Sequence, residues 1–273
     1  MRDINYTVPI FEGFAEDAEC PFCSIYYKIE SDVFDYVLGT SYMEDDVRML
    51  TNEKGFCKAH YELLLTSSNR LGVALITHTH TEKINKDISP LLNKIKIAIT
   101  KSNKKKNGMN ENEENIKKEN EKKEDDKSKR GIFKRSNKND ASNNLINYLD
   151  TVLNSCFMCE NINNRFYRII DNFFHLYKKG DEMKGLVVGC KGFCLQHFRD
   201  LLFYGEKCLN RETYNDFLSI AIPLQEENLK RLEEEVSWFI DKFDYRYTKE
   251  PWKNSKDSPQ RLINKLSSLK VDK

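Results

Sequence analysis

The sequence reads Cys20-Pro-Phe-Cys23 near its start and Gly55-Phe-Cys-Lys-Ala-His60 further along. The same order returns as Cys156-Phe-Met-Cys159 and Gly192-Phe-Cys-Leu-Gln-His197. Cys23 and Cys57 are separated by 33 residues in the first copy, and Cys159 and Cys194 by 34 in the second. Three thiols and one imidazole make a complete tetrahedral ligand set for a zinc ion. The repeat therefore predicts an internal duplication with two closed metal sites.

The order of the motifs suggests that each half of the chain holds its own ion. The first ion is expected on Cys20, Cys23, Cys57 and His60, and the second on Cys156, Cys159, Cys194 and His197. A different pairing, in which both halves contribute ligands to each ion, stays open. A site closed by four protein ligands leaves no position for water or substrate, so it stabilises a fold rather than catalyses a reaction. We therefore expect no catalytic residue and favour a protein that is not an enzyme.

Zinc is the expected cofactor, with two ions per chain, but the motifs leave alternatives open. An iron–sulfur cluster in which histidine replaces one thiolate is the first. A thiol redox centre is another, although a redox Cys-x-x-Cys belongs at a strand–helix junction and the sequence shows no such strand. Cys190 and Cys208 have no counterparts in the first half, and we expect buried or idle thiols there. His78 and His80, two residues apart on a helix, point to different faces and are expected to be polar or partly buried rather than ligands.

Helical periodicity dominates the rest of the chain. Apolar residues recur every three to four positions over 24–38, 161–176 and 229–243, as in amphipathic helices. Only residues 6–11 suggest an extended segment. The sequence predicts a mainly α fold of two duplicated helical halves, residues 1–100 and 144–273, each with a Cys3His site. The second half is expected to end in an amphipathic helix and a tail that packs over the body, near a site.

Residues 101–143 stand apart in composition and are predicted to form a disordered charged linker. Within 101–140 there are 14 Lys and Arg and 9 Asp and Glu, which gives +5 there and leaves −4 elsewhere in a chain of net charge +1. Dense mixed charge with few apolar residues prevents core formation. Because the remainder is slightly acidic, nucleic-acid binding through zinc modules is the second, disfavoured alternative to an iron–sulfur or thiol redox protein.

The sequence has no apolar run of the length that crosses a bilayer and no secretory signal. We therefore expect a cytoplasmic protein with no membrane partner. In a reducing compartment its eight cysteines are expected to serve as ligands or buried thiols rather than disulfides. These features together favour a zinc-binding interaction or scaffold protein with an unknown protein partner.

Several segments carry a resemblance to a known family. They include Glu19-Cys-Pro-Phe-Cys23, Thr51-Asn-Glu-Lys-Gly-Phe-Cys-Lys-Ala-His60, Lys191-Gly-Phe-Cys-Leu-Gln-His-Phe198 and Pro251-Trp-Lys-Asn-Ser-Lys-Asp257. In these segments the chain resembles an uncharacterised, mostly clostridial bacterial family known only as a domain of unknown function. Some members of that family carry the label of transporter substrate-binding proteins. The resemblance covers nearly the whole chain outside 101–143 and implies no particular activity.

Overall fold

The structure, a computed structural model, describes residues 4–39, 41–112 and 138–269. In these ranges the chain forms eleven α-helices and no β-strand, which confirms the predicted helical class. The helices are α1 Ile4–Ala15, α2 Pro21–Leu38, α3 Asp45–Lys54, α4 Lys58–Thr66, α5 Arg70–Asn112, α6 Lys138–Leu153, α7 Phe157–Lys179, α8 Asp181–Gly189, α9 Leu195–Cys208, α10 Arg211–Asp241 and α11 Ser258–Ser267. No helix among the described residues combines the length and apolar character that a bilayer crossing requires.

The segment 6–11, expected to be extended, instead lies inside helix α1. Ile10 and Phe14 are both buried, and residues four apart share one face of a helix. The helix approaches its neighbour closely at Gly13, where a Cβ atom would lie 2.5 Å from Cγ1 of Ile25. A short apolar window fits either period, so the burial of Ile10 and Phe14 on one helical face decides the conformation.

The expected linker is shorter than its composition indicates. Helix α5 continues to Asn112 and helix α6 begins at Lys138, so residues 101–112 and 138–143 are helical. Lysine and glutamate are good helix formers and need no apolar face to extend an existing helix. The remainder of the expected disordered linker, residues 113–137, lies outside the described residues.

One compact unit combines the residues up to Asp35 with those from Glu160 onward. Its core is a cluster of aromatic rings on α1, α2, α7 and α10. The ring of Phe173 lies 5.2 Å from that of Phe22 and 5.0 Å from that of Phe174, which in turn lies 5.4 Å from Phe217. Edge-to-face packing of large rings contributes more than buried area alone. This core holds the start of α2 close to the start of α9.

The second compact unit spans Tyr36–Cys159. Helix α5 packs against α3 and α6, and Val47, Leu64 and Ile76 are buried there. The two units differ from the predicted halves 1–100 and 144–273, because each unit contains one motif from each half. The first unit contains the first Cys-x-x-Cys and the second Gly-Phe-Cys-x-x-His, and the second unit contains the other two motifs. This exchange of motifs between the halves decides which candidate ligands lie together.

Candidate metal centres

The two Gly-Phe-Cys-x-x-His segments have the same local structure. Gly55 has φ +57° and Gly192 has φ +76°, a left-handed region in which glycine carries no steric penalty. After each turn, Cys57 or Cys194 stands at the N-cap of the next helix, α4 or α9. The histidine three residues later lies on the same side of that helix. The glycine turn and the helix start together aim one thiol and one imidazole at the same point.

Each Cys-x-x-Cys also opens a helix. Cys20 directly precedes α2 and Cys156 directly precedes α7, with the second cysteine in the first turn. The backbone N–H of Cys159 donates to Sγ of Cys156 at 3.4 Å. Helix N-termini carry partial positive charge, which stabilises nearby thiolates. At each Cys-x-x-Cys, the start of the helix therefore places both sulfur atoms on the same side of the backbone.

Site A consists of Cys20, Cys23, Cys194 and His197. Nδ1 of His197 lies 3.6 Å from Sγ of Cys20, 3.5 Å from Sγ of Cys23 and 3.1 Å from Sγ of Cys194. None of the four side chains is more than 4% exposed. The ring of Phe166 lies 5.0 Å from the His197 ring. The four side chains of site A are thus buried, and Cys20 and Cys23 line a cavity that opens to solvent.

Site B consists of Cys57, His60, Cys156 and Cys159. Nδ1 of His60 lies 3.2 Å from Sγ of both Cys57 and Cys156, and 3.3 Å from Sγ of Cys159. The Sγ atoms of Cys57 and Cys159 are 3.7 Å apart. His60 is buried, whereas Cys57 and Cys159 are half-buried. Site B has the same donors as site A in a more open setting.

The structure brings together all eight predicted residues but corrects their expected pairing. Cys20 and Cys23 meet Cys194 and His197, while Cys57 and His60 meet Cys156 and Cys159. The pairing within each half is therefore wrong, and the alternative in which both halves contribute to each cluster describes the structure.

Helix lengths explain the exchange. After Cys20, helix α2 carries the chain away for 18 residues, about 27 Å at 1.5 Å per residue. Helix α3 has only 10 residues, about 15 Å, before the next motif. The second half repeats the imbalance, with 23 residues in α7 and 9 in α8. In each half, the second helix (α3 or α8) is therefore shorter than the first (α2 or α7). It cannot carry the chain back to the Cys-x-x-Cys of the same half, where the Gly-Phe-Cys-x-x-His segment would otherwise meet it.

The dimensions of both clusters suit a tetrahedral ion. A Zn–S bond of about 2.3 Å implies S–S edges of about 3.8 Å, and mixed S–N edges are slightly shorter. The observed S–S distance of 3.7 Å and the S–N distances of 3.1–3.6 Å have these values. In each site all ligand atoms lie within 4.8 Å of one another. Either site could therefore hold one divalent cation with no further protein rearrangement.

The thiols within each cluster resist ionising together. In site A, hydrogen bonds from Cys20 and Cys23 lower the pKa of Cys194 far below its usual value, while the hydrogen bond to Cys194 raises the pKa of Cys23. In site B, the hydrogen bond from Cys159 lowers the pKa of Cys156 to about 3, and that same contact raises the pKa of Cys159. One thiolate thus suppresses the ionisation of the neighbouring thiols, and a bound cation would offset the repulsion between their negative charges.

His197 responds to the same negative charge. Burial alone would lower its pKa, but the hydrogen bonds and charges of Cys194 and Cys20 raise it to about 10. Without a metal, site A would therefore hold a protonated imidazole beside a thiolate. A metal ion bound there would replace that proton on the imidazole and would neutralise the thiolate charge in its place.

Two side chains that the sequence did not single out fix the backbone around site A. Lys265 of α11 is fully buried, and its Nζ donates to the carbonyl of Glu19 at 2.7 Å and to the carbonyl of Lys191. These carbonyls immediately precede the two ligand-bearing segments. Gln225 of α10 donates to the carbonyl of Phe193 and accepts from its N–H, both at 2.9 Å. The two residues tie both halves of site A to the C-terminal helices.

An ion network continues outward from Lys265. The Glu19 carboxylate is almost fully buried and pairs with Arg231 and, at 3.1 Å, with Arg261. Both arginines also pair with Glu235. Because Glu19 directly precedes Cys20, the network holds the first ligand segment against α10 and α11. A buried glutamate with two guanidinium partners is compensated in charge.

Ser268, at the end of helix α11, reaches site A. Oγ of Ser268 lies 3.0 Å from Sγ of Cys194, and Tyr27 donates to the carbonyl of Ser268. Further back, Trp252 packs beside Phe239 at 5.7 Å between ring centroids. Ser268 therefore contacts site A, and Trp252 packs on the end of α10.

In site B the corresponding supports come from His80 and Ser155. Nδ1 of His80 donates to the carbonyl of Asn52 at 2.6 Å, and Nε2 would lie 2.4 Å from a Cβ atom added at Gly55. Oγ of Ser155 donates to the carbonyl of Lys54 at 2.6 Å. The N–H of Phe157 donates to the carbonyl of Gly55 at 2.9 Å. His80 thus supports the glycine turn and lies outside the two groups of possible ligands among the described residues.

The remaining thiols and His78 lie outside both clusters. Sγ of Cys190 lies 3.9 Å from the carbonyl of Gly192, and burial raises its pKa to about 11. Sγ of Cys208 lies 3.8 Å from a carboxylate oxygen of Asp171. His78 is largely exposed, 3.7 Å from Glu82 on the same helix face. None of the three belongs to the metal-type groups found among the described residues.

Comparison with known proteins gives a family but no activity. The whole chain, residues 1–273, matches the model of a family of unknown function (DUF6062). No curated protein and no solved structure matches the chain.

Proposed function

We propose that this chain, which belongs to a family of unknown function (DUF6062), is a zinc protein whose two Cys3His centres each hold one structural ion. One observation carries the proposal, namely two separate groups of three thiols and one imidazole with all ligand atoms within 4.8 Å. Sulfur-rich tetrahedral sets favour zinc, and four protein ligands leave no position for substrate. When bound, the ion would neutralise the thiolates and cross-link segments distant in sequence.

Metal analysis of purified protein tests this proposal directly. Protein prepared without chelator should contain two zinc ions per chain by elemental analysis. Cys57→Ser should remove the ion of site B and Cys194→Ser that of site A, each leaving one. Cys208→Ser removes a thiol outside both sites and serves as the matched control with two ions. Wild-type protein without zinc or iron would contradict the proposal.

The same preparation separates zinc from the alternatives. An iron–sulfur protein would be coloured, with visible absorbance and iron in the elemental analysis. A thiol redox protein would keep its fold after chelation. We favour zinc because each cluster has the dimensions of a single tetrahedral ion, with the imidazole nitrogen within 3.6 Å of all three sulfurs.

We also propose that the two ligand sets arose by duplication, with reciprocal exchange of ligands. The support is their matched local structure, since Cys57 and Cys194 are both N-caps after a positive-φ glycine. Superposing residues 54–66 on 191–203, and 19–32 on 155–168, in an experimental zinc-loaded structure tests this. Segments of common origin should superpose with their ligand atoms coincident. Ligand side chains that approach the ion from different directions would contradict the proposal.

For the protein as a whole we propose an interaction or scaffold role in the cytoplasm, with a protein partner and neither membrane nor nucleic acid. Thiol ligands bind metal only while reduced, which suits a reducing compartment. The net charge of +1 provides no field for polyanions. Titrating duplex DNA at low and high salt tests the last point. Tight binding that weakens steeply with salt would contradict it.

A further inference from the structure

The two sites have the same donors but differ in protection. Every ligand of site A is at most 4% exposed. In site B the thiols of Cys57 and Cys159 are half-buried. Oxidants react with thiols according to their accessibility and thiolate character. The same ligand chemistry therefore has two different exposures to small diffusible oxidants in one chain.

The surroundings increase the difference. Around site A, the rings of Phe166, Tyr26 and Phe22 lie 5.0, 6.0 and 6.2 Å from the His197 ring. Ser268 from the C-terminal segment covers Cys194. At site B, Phe56 packs on Tyr61 at 5.6 Å between ring centroids, yet Cys57 and Cys159 retain solvent access. Cys57 and Cys159 of site B are therefore more exposed than any ligand residue of site A, although Cys20 and Cys23 line a cavity that opens to solvent.

The two accessible thiols of site B are also neighbours. Their Sγ atoms are 3.7 Å apart, and a disulfide needs about 2.05 Å. Hydrogen bonds from Phe157 N–H to the Gly55 carbonyl and from Ser155 Oγ to the Lys54 carbonyl join the segments that carry them. These bonds do not involve a ligand side chain, so they keep the two sulfurs close if an ion leaves.

We propose that Cys57 and Cys159 form a site of oxidative modification that releases the metal ion of site B, while site A keeps its ion. Hydrogen peroxide transfers one oxygen atom to the first zinc-bound thiolate, which becomes a sulfenic acid, and a solvent proton lets the other oxygen leave as water. The neighbouring thiolate attacks that sulfur and forms the disulfide, and the expelled hydroxide takes a second solvent proton to become water. In sum, two thiolates lose two electrons, and one hydrogen peroxide takes up those electrons and two solvent protons to become two waters. Site B then retains two of four ligands, and its ion leaves as Zn²⁺. A dithiol reductant reverses the step.

The inference rests on the proposed function, because it requires zinc at both sites. The test treats zinc-loaded full-length protein with hydrogen peroxide in excess over the ligand thiols, in the presence of a colorimetric zinc indicator. Cys190→Ser/Cys208→Ser protein is used beside the wild type, since it removes the thiols outside both sites. The expected result is release of one equivalent, about tenfold faster than the second. Peptide mapping should find a Cys57–Cys159 disulfide, and a dithiol with added zinc should restore the second ion.

The outcomes separate the two proposals. Protein that carries no zinc at the start overturns the proposed function, and this inference with it. Two zinc ions that leave at the same rate, a site A disulfide, or zinc release without any disulfide at Cys57 overturns this inference alone. Retention of both ions under peroxide that oxidises Cys190 or Cys208 does the same.

Discussion

Replacing Gly55 with alanine should destabilise the unit that contains site B by about 1.5–4.5 kcal/mol. Gly55 has φ +57° and ψ −150°, a region that side chains other than glycine occupy at a cost of about 1–3 kcal/mol. An added Cβ would also lie 2.4 Å from Nε2 of His80. His80 must then move and weaken its hydrogen bond to the Asn52 carbonyl, which contributes about 0.5–1.5 kcal/mol.

The assay is urea unfolding of zinc-loaded protein followed by circular dichroism, with zinc content measured before each titration. Gly185→Ala is the matched control, because Gly185 lies within α8 and a Cβ there meets nothing within 4 Å. A helix-interior Gly→Ala change should be neutral or stabilising by up to about 1 kcal/mol. If Gly55→Ala unfolds at the same urea concentration as Gly185→Ala, the account of the turn at site B is refuted.

Three further predictions follow from the supports and the ligand chemistry. Lys265→Met leaves two buried carbonyls without their donor, which should cost about 1–3 kcal/mol of stability for each carbonyl. Urea unfolding should show this loss, and a chelator should extract the ion of site A faster than from the control, exposed Lys256→Met. An unchanged unfolding midpoint would contradict the prediction. Gln225→Ala removes both hydrogen bonds to Phe193 and should lower the free energy of unfolding by about 1–3 kcal/mol. The control, exposed Gln196→Ala, should lower it little. Equal urea unfolding midpoints for the two variants would refute this prediction. Thiols whose pKa is raised must lose their protons to bind a metal ion, so acid favours release of the ion. The affinity of each site for zinc should fall about tenfold per pH unit for each proton displaced. Zinc retained in full after dialysis at about pH 4 would argue against thiolate ligation.

The sequence identifies the candidate ligands because the pattern that marks them is local. A Cys-x-x-Cys at a helix start and a Gly-Phe-Cys-x-x-His turn each place two donors together within one turn of backbone. That is why Cys20, Cys57, Cys156 and Cys194 could be assigned with their partners inside each motif. Which two motifs share an ion depends instead on the lengths of α2, α3, α7 and α8 and on the cores they pack into. Spacing along the chain carries no information about that choice.

The supporting residues were missed for a related reason. Lys265 and Gln225 act on backbone groups far away in sequence, so no local pattern marks them. Likewise, the sequence predicts an extended segment at 6–11 because its short apolar run fits two periods. The composition of residues 101–112 predicts a linker because a polar helix has no apolar stripe that would mark it.

The pairing of ligands is the central claim, and NMR of protein reconstituted with NMR-active cadmium tests it most directly. Each cadmium ion couples through its bonds to the β-protons of its own cysteines. The structure predicts two cadmium signals, one correlated with Cys20, Cys23 and Cys194 and the other with Cys57, Cys156 and Cys159. A signal that correlates with Cys20, Cys23 and Cys57 together would contradict the exchanged pairing and restore one site to each half.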